Sequence, residues 1–408
     1  MKTLQITDLN LADQRVLIRV DFNVPLHSDG SIADDTRLRA CLPTIQYVLD
    51  HGGSVILMSH LGRPEGNRNP KLSLSVCAKA LSLLLSKEII MAPDCIGKET
   101  EQLRQRIKPG QILLLENLRF HQAEEHPDKD PSFAKALAQH GDIYINDAFA
   151  TAHRKHASTS VITQYFPGKA AAGLLMGKEI EALTQILVHP IQPFYAIIGG
   201  AKVSSKIGAL RALLAKAQGI FIGGGMCYTF MHALGKPIGD SLCEKEQIDT
   251  AKQFIDLCQI KQVPLFFPHD LVIADAFTPD AKIQTIKLEE GIPSGWQGMD
   301  IGPITRTEWA RVLEKAKTIF WNGPLGVFEF PRFAQGTFSI AQSIAKLSSC
   351  HSVIGGGDSL AAIHQLGIGK AFTHLSTGGG ATLEFIELGT LPGIEALSEK
   401  IQPLSDKV

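Results

Sequence analysis

Short apolar runs, most of them followed by glycine, recur through the second half of the chain. A β-branched or aromatic run that leads through glycine into a helical pattern predicts a parallel strand turning tightly into a helix. Glycine lets the backbone approach a ligand, and the first N–H groups of the helix then face that ligand. Several such turns in one domain predict a nucleotide phosphate site. The six runs are FYAIIGGAK (194–202), GIFIGGG (219–225), PLFFPHD (264–270), TIFWNGP (318–324), HSVIGGGDS (351–359) and HLSTGGG (374–380).

The first half repeats the alternation of strand and loop, but its runs end in charged residues. They are RVLIRVDFNVPL (15–26), SVILMSHLGRP (54–64), ILLLENLRF (112–120) and DIYINDAFATAHR (142–154). Ligands of open α/β sheets bind outside the carboxyl ends of the strands. Because arginine offers a planar fork suited to phosphate and carboxylate, this edge is predicted to bind a small anion. The side chains gathered there would be Asp21, Asn23, His60, Arg63, Arg119 and Arg154.

The length of 408 residues predicts two domains of the α/β class rather than one core. We place the first domain at residues 1–172 and the second at 188–390. Between them, residues 173–187 are rich in Ala, Leu, Lys and Glu, which favours a helix. A connector between domains and an ordinary surface helix both fit that spacing.

Composition excludes several classes of protein. A formal net charge of −1 gives no overall field for nucleic acid or an anionic membrane. The N-terminus lacks the pattern of a signal peptide, and no apolar run approaches the ~20 residues needed to span a bilayer. The seven cysteines are scattered without a CxxC pair, which predicts free thiols in a reducing compartment, the cytoplasm.

Two lysines follow the first glycine pair of the second half. The spacing in GGAKVSSKIGAL (199–210) predicts Lys202 and Lys206 on one face of a starting helix. That position is unfavourable for the helix dipole unless an anion binds there, so the Gly-Gly turn favours an anion site over solvated surface lysines. Neither the GxxxxGK[ST] nor the GxGxxG fingerprint is present, which argues against a Walker-type ATPase and a conventional dinucleotide dehydrogenase.

Other residues leave two interpretations open. Asp358 in GGGDS fits a plain helix N-cap and equally a magnesium contact beside nucleotide phosphates. His60 and His153 fit substrate contacts or structural histidines. We expect a run of acidic residues to form a solvated loop face, namely Glu124, Glu125, Asp128 and Asp130.

At this point the motifs resemble those of the phosphoglycerate kinases, in the family's order from about residue 15 to about residue 395. The resemblance implies two Rossmann-like domains with doubly wound parallel sheets, joined by a helix across a cleft. It also implies that the tail, residues 391–408, packs back on the first domain. The matching motifs are RVLIRVDFNVPL, SHLGRP, ENLRF, DAFATAHRKHAST, GGAKVSSKI, WNGPLGVFE, GGGDS and STGGGATLEFIELGTLPG.

The resemblance also implies roles for individual residues. Phosphoglycerate contacts would be Asp21, Asn23, Arg37, His60, Arg63, Arg119 and Arg154. Nucleotide contacts would be Lys202, Lys206, Asn322, Glu329, Gly356, Gly357, Asp358 and Ser359, with Asp358 also holding Mg²⁺. The catalytic groups would be Arg37, Lys202, Gly357 and Gly379. Two departures from the family pattern are Ala150, where glycine is common, and His269, where an apolar residue is expected.

The implied reaction is reversible phosphoryl transfer from 1,3-bisphosphoglycerate to ADP, giving 3-phosphoglycerate and ATP in glycolysis and gluconeogenesis. We expect a magnesium-dependent monomer that closes around its small-molecule substrates. An NAD-dependent oxidoreductase is one alternative, but the sequence lacks the glycine fingerprint of that class. A non-catalytic relative of the kinase is the other rival, and it would be expected to have lost Arg37, Lys202 or Asp358, which are all present.

Overall fold

The chain folds into two α/β units. The structure is a computed structural model that describes residues 3–400. Within the described residues, unit 1 comprises residues 3–180 and 390–400, and unit 2 comprises Glu181–Gly389. Each unit is built on six parallel strands, which confirms the predicted fold class. Of the predicted C-terminal tail, residues 401–408 lie outside the described residues.

Unit 1 has the strand order β3-β4-β2-β1-β5-β6. Its strands are β1 Arg15–Arg19, β2 Ser54–Met58, β3 Ile89–Met91, β4 Ile112–Leu114, β5 Ile143–Asn146 and β6 Ala170–Ala172. Its helices are α1 Thr36–Asp50, α2 Ser75–Leu85, α3 Lys98–Arg106, α4 Gln122–Glu125, α5 Ser132–Ala138 and α14 Pro392–Glu395. The strands up to β4 lie on one side of β1, and β5 and β6 lie on the other. The strand order therefore switches between β1 and β5, where α/β sheets bind ligands.

The central strands of unit 1 are continuous apolar runs because both faces of the sheet are covered. All five residues of β2 are buried, and Val16, Leu17 and Ile18 of β1 have no exposed surface. The four predicted strands form β1, β2, β4 and β5. The edge strands β3 and β6 were not predicted, since each has only three residues and the Ala-Ala-Ala sequence of β6 favours a helix by composition.

Unit 2 has the strand order β15-β14-β13-β7-β8-β9. These strands are β7 Phe194–Ile198, β8 Gly219–Ile222, β9 Leu265–Phe266, β13 Thr318–Asn322, β14 His351–Gly355 and β15 His374–Ser376. All six come from the six runs identified in the sequence. When these six strands are numbered 1 to 6 in chain order, their order in the sheet is 3-2-1-4-5-6, as in the Rossmann fold. The switch point lies between β7 and β13.

A second sheet in unit 2 was not predicted. It is antiparallel and pairs β10 Asp270–Ala274 with β11 Ile283–Lys287 on one side and β12 Gln297–Ile301 on the other. The helices of unit 2 are α7 Ile207–Leu214, α8 Met226–Ala233, α9 Ile248–Ile260, α10 Pro303–Leu313, α11 Gln335–Ala345, α12 Gly357–Leu366 and α13 Gly380–Leu388.

The chain passes between the units twice. Helix α6, Leu174–Val188, contains the first division, between Ile180 and Glu181. The second division follows Gly389, after which residues 390–400 belong to unit 1. There the N–H of Gly393 donates to the carbonyl of Ala152 at 2.7 Å.

All seven cysteines are free thiols, as predicted, and five of them are buried while Cys243 and Cys350 are half-buried. Within residues 3–400, no helix combines the length and the apolar character that crossing a bilayer requires.

Candidate active site

The loop after β1 and the start of α1 hold the first predicted side chains of unit 1. Asp21 accepts a hydrogen bond from Nη1 of Arg37 at 2.5 Å, in an ion pair whose carboxylate is the more buried partner. Asp21 also accepts from the N–H of Asn23 at 3.1 Å, and Asn23 accepts from the N–H of Gly62 at 2.9 Å. The loops after β1 and β2 are therefore tied together, with Arg37 held at the carboxyl end of the sheet.

Arg119 lies in the turn that follows β4. Its Nη1 donates to the carbonyl of Gly62 at 2.9 Å, and its Nη2 lies 3.1 Å from Oε1 of Glu125. Burial lowers the pKa of the Arg119 guanidinium. Its Nε is buried and has no hydrogen-bond partner in the described part of the chain. A buried donor without an acceptor is costly, so this nitrogen is suited to an oxygen of a bound anion.

Arg63 and Arg154 are exposed at the same edge of unit 1. Nε of Arg154 donates to Nε2 of His153 at 3.0 Å. The charge of Arg63 acts on Arg119, and the charge of Arg154 acts on His156. These predicted residues therefore share one electrostatic neighbourhood.

Behind this exposed edge lies a buried polar network. His60 is 3% exposed, and its Nδ1 lies 3.1 Å from Nη2 of Arg19, which is 1% exposed. Nε of Arg19 donates to Oγ of Ser158 at 2.8 Å, and this hydroxyl donates to Oε1 of Glu124 at 2.6 Å. His156 lies beside the same carboxylate, with its Nδ1 3.9 Å from Oε1.

The prediction that Glu124 belongs to a solvated loop face is wrong, because this side chain is fully buried. Asp128 and Asp130 of the same run are exposed, as predicted. Sequence reasoning also missed Arg19 and Ser158. A charged residue inside the apolar run RVLIRV was a usable signal for Arg19. Ser158 stands in the matched motif DAFATAHRKHAST, but no local pattern indicated its contact with Arg19.

In unit 2 the loops that follow β7 and β13, on either side of the switch point, approach each other closely at glycine residues. A Cβ on Gly199 would lie 2.2 Å from the carbonyl oxygen of Pro324, and one on Gly323 would lie 2.4 Å from the carbonyl oxygen of Gly199. Gly323 also has a φ of +91°, which favours glycine. The close approach of these two loops therefore depends on the glycines identified in the sequence.

Lys206 and Asn322 meet at this switch point. Nζ of Lys206 donates to Oδ1 of Asn322 at 2.5 Å, and the two residues are 8% and 2% exposed. Burial lowers the pKa of Lys206 to about 8, against an opposing effect of Asp358. Nδ2 of Asn322 is buried without a hydrogen-bond partner among residues 3–400. An ammonium and an unpartnered amide thus lie together where an anion could accept from both.

Two helices begin at the same cavity. Helix α12 begins at Gly357 and helix α13 at Gly380, each directly after a glycine with positive φ, Gly356 and Gly379. Unpaired N–H groups and the helix dipole make such helix starts suited to phosphate. The cavity has a volume of about 570 Å³ and is lined by Ser205, Lys206, Asn322, Gly356, Gly357, Gly379, Gly380, Leu383, Glu384, Glu387 and Leu388.

Four predicted nucleotide residues are not among those that line this cavity. Lys202, Glu329 and Asp358 are exposed, whereas Ser359 is buried and its Oγ accepts from the N–H of Gly323 at 2.8 Å. The predicted placement of Lys202 on a helix face is wrong, because α7 begins only at Ile207. The glycine turn is longer than the spacing of the lysines suggested.

The two departures from the family pattern have ordinary surroundings. Ala150 lies in the short 3₁₀ turn Phe149–Thr151, a right-handed conformation that a methyl group tolerates. His269 is exposed and its Nδ1 pairs with the carboxylate of Glu308.

An arginine-rich edge on one parallel-sheet unit and a cavity suited to phosphate in a Rossmann-ordered unit fit the class of the phosphotransferases. The phosphoglycerate kinase family model matches residues 6–388. The phosphoglycerate kinase of Moorella thermoacetica is 50% identical over 98% of this chain and 100% of its own length. That of Koribacter versatilis is 49% identical over 98% and 100%.

Solved structures agree with this assignment. The phosphoglycerate kinase structure from Coxiella burnetii has a TM-score of 0.85 and 40% identity, and covers 97% of this chain and 98% of that one. The structure from Pyrococcus horikoshii has a TM-score of 0.84 and 32% identity with the same coverage. The chain belongs to the phosphoglycerate kinase family. It is a phosphotransferase with a carboxyl group as acceptor, and it carries out the reversible transfer between 1,3-bisphosphoglycerate and ADP.

Proposed function

We propose that unit 1 binds the phosphoglycerate and unit 2 binds the nucleotide of this reaction. The observation that carries the division is a pair of buried donors without a protein acceptor in the described residues, Nε of Arg119 in unit 1 and Nδ2 of Asn322 in unit 2. Each lies among side chains suited to anionic oxygen. An anion bound in each unit would satisfy the donor of that unit, whereas the protein without ligands leaves both donors unpaired at a cost.

In the proposed phosphoglycerate site, the guanidinium groups supply positive charge, and the other polar side chains hold these groups and the surrounding loops in position. Asp21 holds Arg37, and Asn23 holds the loop of Gly62, so the anion meets side chains that are already placed. This preorganisation reduces the entropy lost on binding. The proposed phosphoglycerate residues are Asp21, Asn23, Arg37, His60, Arg63, Arg119 and Arg154.

On the nucleotide side, Lys206 and Asn322 face the phosphates together with the N-termini of α12 and α13. Ser359 supports the turn at Gly323 from behind. The exposed residues Lys202, Glu329 and Asp358 would complete the site when the nucleotide is bound. The proposed nucleotide residues are Lys202, Lys206, Asn322, Glu329, Gly356, Gly357, Asp358 and Ser359.

Mg²⁺ fits the chemistry at Asp358. This exposed carboxylate stands in the first turn of α12, and Mg²⁺ on nucleotide phosphates usually takes one or two carboxylates. The ion would neutralise phosphate charge when bound. Asp358 would hold it, while Lys206 and the start of α12 contact the phosphates.

The mechanism requires no general base. The acceptor is a carboxylate, which is already ionised at neutral pH, so the site must position it and stabilise the charge of the transferring group. Arg37 from unit 1 and Lys202 from unit 2 would provide this charge. The N–H groups near Gly357 and Gly379 would provide oriented dipoles.

Because one reaction uses residues of both units, the two substrates must be brought in line. We propose that the units close on binding and exclude water that would hydrolyse the acyl phosphate. We further propose a monomeric enzyme in the cytoplasm, where seven free thiols remain reduced.

A paired calorimetric titration tests the division between units. Arg119→Ala should weaken 3-phosphoglycerate binding about 10- to 100-fold, the scale of one charge-assisted contact, and leave ADP binding unchanged. Lys206→Ala should do the reverse. Arg39→Ala is the matched control, since Arg39 is an exposed arginine that pairs with Asp35. Equal loss of both ligands in each variant would refute the division.

A further inference from the structure

Arg19 uses its three donor groups on three different acceptors. Nε donates to Oγ of Ser158 at 2.8 Å, Nη1 donates to the carbonyl of Val20, and Nη2 lies 3.1 Å from Nδ1 of His60. A guanidinium carries donors and no acceptor. Nδ1 of His60 must therefore be the acceptor in this contact.

An imidazole whose Nδ1 accepts a hydrogen bond carries its proton on Nε2 and is neutral. The surroundings of His60 favour the same state. Burial is the largest cause that holds the pKa of His60 well below its usual range. The charges of Arg19 on β1, Arg119 in the turn after β4 and Arg37 on α1 act in the same direction. His156 from the loop after β5 also faces His60, and burial lowers the pKa of His156 to about 3.

Glu124 is the counter-charge that allows Arg19 to be buried. Its Oε1 accepts from Oγ of Ser158 at 2.6 Å, and its Oε2 accepts from the N–H of Ser158 at 3.1 Å. Both carboxylate oxygens are thus engaged by the residue to which Arg19 donates. A buried charge needs such pairing to be tolerated, so the network holds the guanidinium against His60.

We propose that Arg19 is a positioning residue that keeps His60 in the neutral Nε2–H tautomer, so that His60 binds phosphoglycerate as an uncharged hydrogen-bond donor. Among the hydrogen bonds within residues 3–400, the His60 ring takes part through Nδ1, in its contact with Arg19, which leaves the Nε2 donor for a ligand. The inference rests on the proposed function in one respect, that phosphoglycerate is the anion at this site. A neutral donor contributes equally across the range in which ordinary histidines titrate, whereas an imidazolium loses affinity as the pH rises.

Nitrogen-15 NMR of the ligand-free, histidine-labelled full chain tests the tautomer directly. Comparison with His60→Gln assigns the signals. We expect an unprotonated Nδ1 and a protonated Nε2 that stay unchanged from about pH 6 to about pH 8. A proton on Nδ1, or titration of His60 within that interval, overturns the proposal. The measurement needs no turnover, so its failure is separate from a failure of the proposed function.

The role of Arg19 is tested by removing the buried pair together, as Arg19→Met with Glu124→Gln. This change leaves no unpaired buried charge, and circular dichroism checks that the variant is folded. We expect His60 to titrate nearer the ordinary value of about 6.5. The KM of the double variant for 3-phosphoglycerate, divided by the KM of the parent at the same pH, should then rise about fivefold from about pH 6 to about pH 8. The ratio rises because His60 of the variant loses its charge-assisted bond to the substrate as it deprotonates.

Taking the ratio to the parent removes the titration of the substrate phosphate itself. Arg39→Met is the control, and both its NMR spectrum at His60 and its KM ratio should stay flat with pH. A folded double variant in which His60 keeps the Nε2–H tautomer and the KM ratio stays flat would show that Arg19 has no positioning role. If the double variant does not fold, the NMR spectrum of the parent still decides whether His60 is held as proposed.

Discussion

At the scale of single residues, burial distinguishes two lysines for which the sequence predicted the same role. Lys202 is exposed, whereas Lys206 is 8% exposed and bonded to Asn322. The sequence predicted both as anion contacts because both follow the same glycine pair. It could not show that the chain turns again before α7 and brings only the second lysine inward. That turn depends on packing in three dimensions, which spacing along the chain does not encode.

The pKa of Lys206 predicts proton uptake on nucleotide binding. Burial lowers it to about 8 in the free protein, so at about pH 8.5 most molecules carry a neutral amine. Polyphosphate favours the ammonium and raises the pKa again, and each binding event should therefore take up part of a proton. Below about pH 7 the lysine is already charged, and the uptake should vanish. ADP calorimetry in buffers of different ionisation enthalpy measures this.

The matched variant is Lys206→Met, which removes the titrating group. Its residual uptake at about pH 8.5 should be close to zero. The same uptake in the variant as in the parent would assign the proton to the nucleotide or to another residue. The assignment of Lys206 to the phosphates would then lose its support.

Lys202 should act on turnover rather than on affinity. Lys202→Ala is expected to lower kcat about 10²- to 10³-fold, the scale of losing one preorganised charge-stabilising contact, while ADP binding weakens much less. Lys216→Ala is the control, because Lys216 is another exposed lysine of the same unit. A kcat within a few-fold of the parent, measured in a coupled assay, would make Lys202 a surface lysine.

At the scale of elements, the strand-to-helix turns were the most predictable part of the molecule. All six runs of the second half became strands of one sheet, since a continuous apolar run is a local signal, as is the glycine that follows five of the runs. Strand β10 contains the apolar run LVIA but no glycine follows it, and β11 and β12 have no continuous apolar run. Strand β11 has two half-buried residues, Ile283 and Ile286, and three exposed ones, and such short polar strands are determined by their partners rather than by their own sequence.

The turn into α13 provides a test at this scale. Gly379 has φ 54° and ψ −112°, a conformation that side chains rarely adopt, whereas Gly380 has no positive φ and open space around its Cα. Gly379→Ala should cost about 1–3 kcal/mol of stability, a fall of several degrees in Tm. Gly380→Ala should be neutral or stabilise by up to about 1 kcal/mol. Thermal unfolding of both variants decides.

Because the two positions are adjacent, general crowding of the turn would affect them equally. Equal losses of Tm in the two variants would contradict the argument from backbone strain. Equal losses would also weaken the view that α13 begins in a backbone conformation suited to binding an anion.

At the scale of the whole molecule, the proposed division of substrates predicts a change of shape. Either ligand alone has little differential affinity for a closed form and should shift that equilibrium weakly. The two together are joined through the transferring phosphoryl group and should shift it strongly. Small-angle scattering of the free, singly liganded and ternary protein, with a non-reactive ATP analogue, should give the smallest radius of gyration for the ternary state. Four equal radii would contradict closure.

The return of residues 390–400 to unit 1 also bears on how the protein is made. Strand β6 is the edge of its sheet, and the carbonyl of Ala170 accepts from the N–H of Ser398 at 2.8 Å, while Leu4 donates to the carbonyl of Ser398 at the same distance. A ribosome completes every strand of unit 2 before it releases Ser398. Leu4 pairs with the Ala172 end of this edge, but the Ala170 end lacks its partner throughout that time. An unpaired strand edge is the kind of surface through which nascent chains associate. Chains terminated early, at any codon before that of Ser398, should therefore depend on chaperones more than the finished protein does.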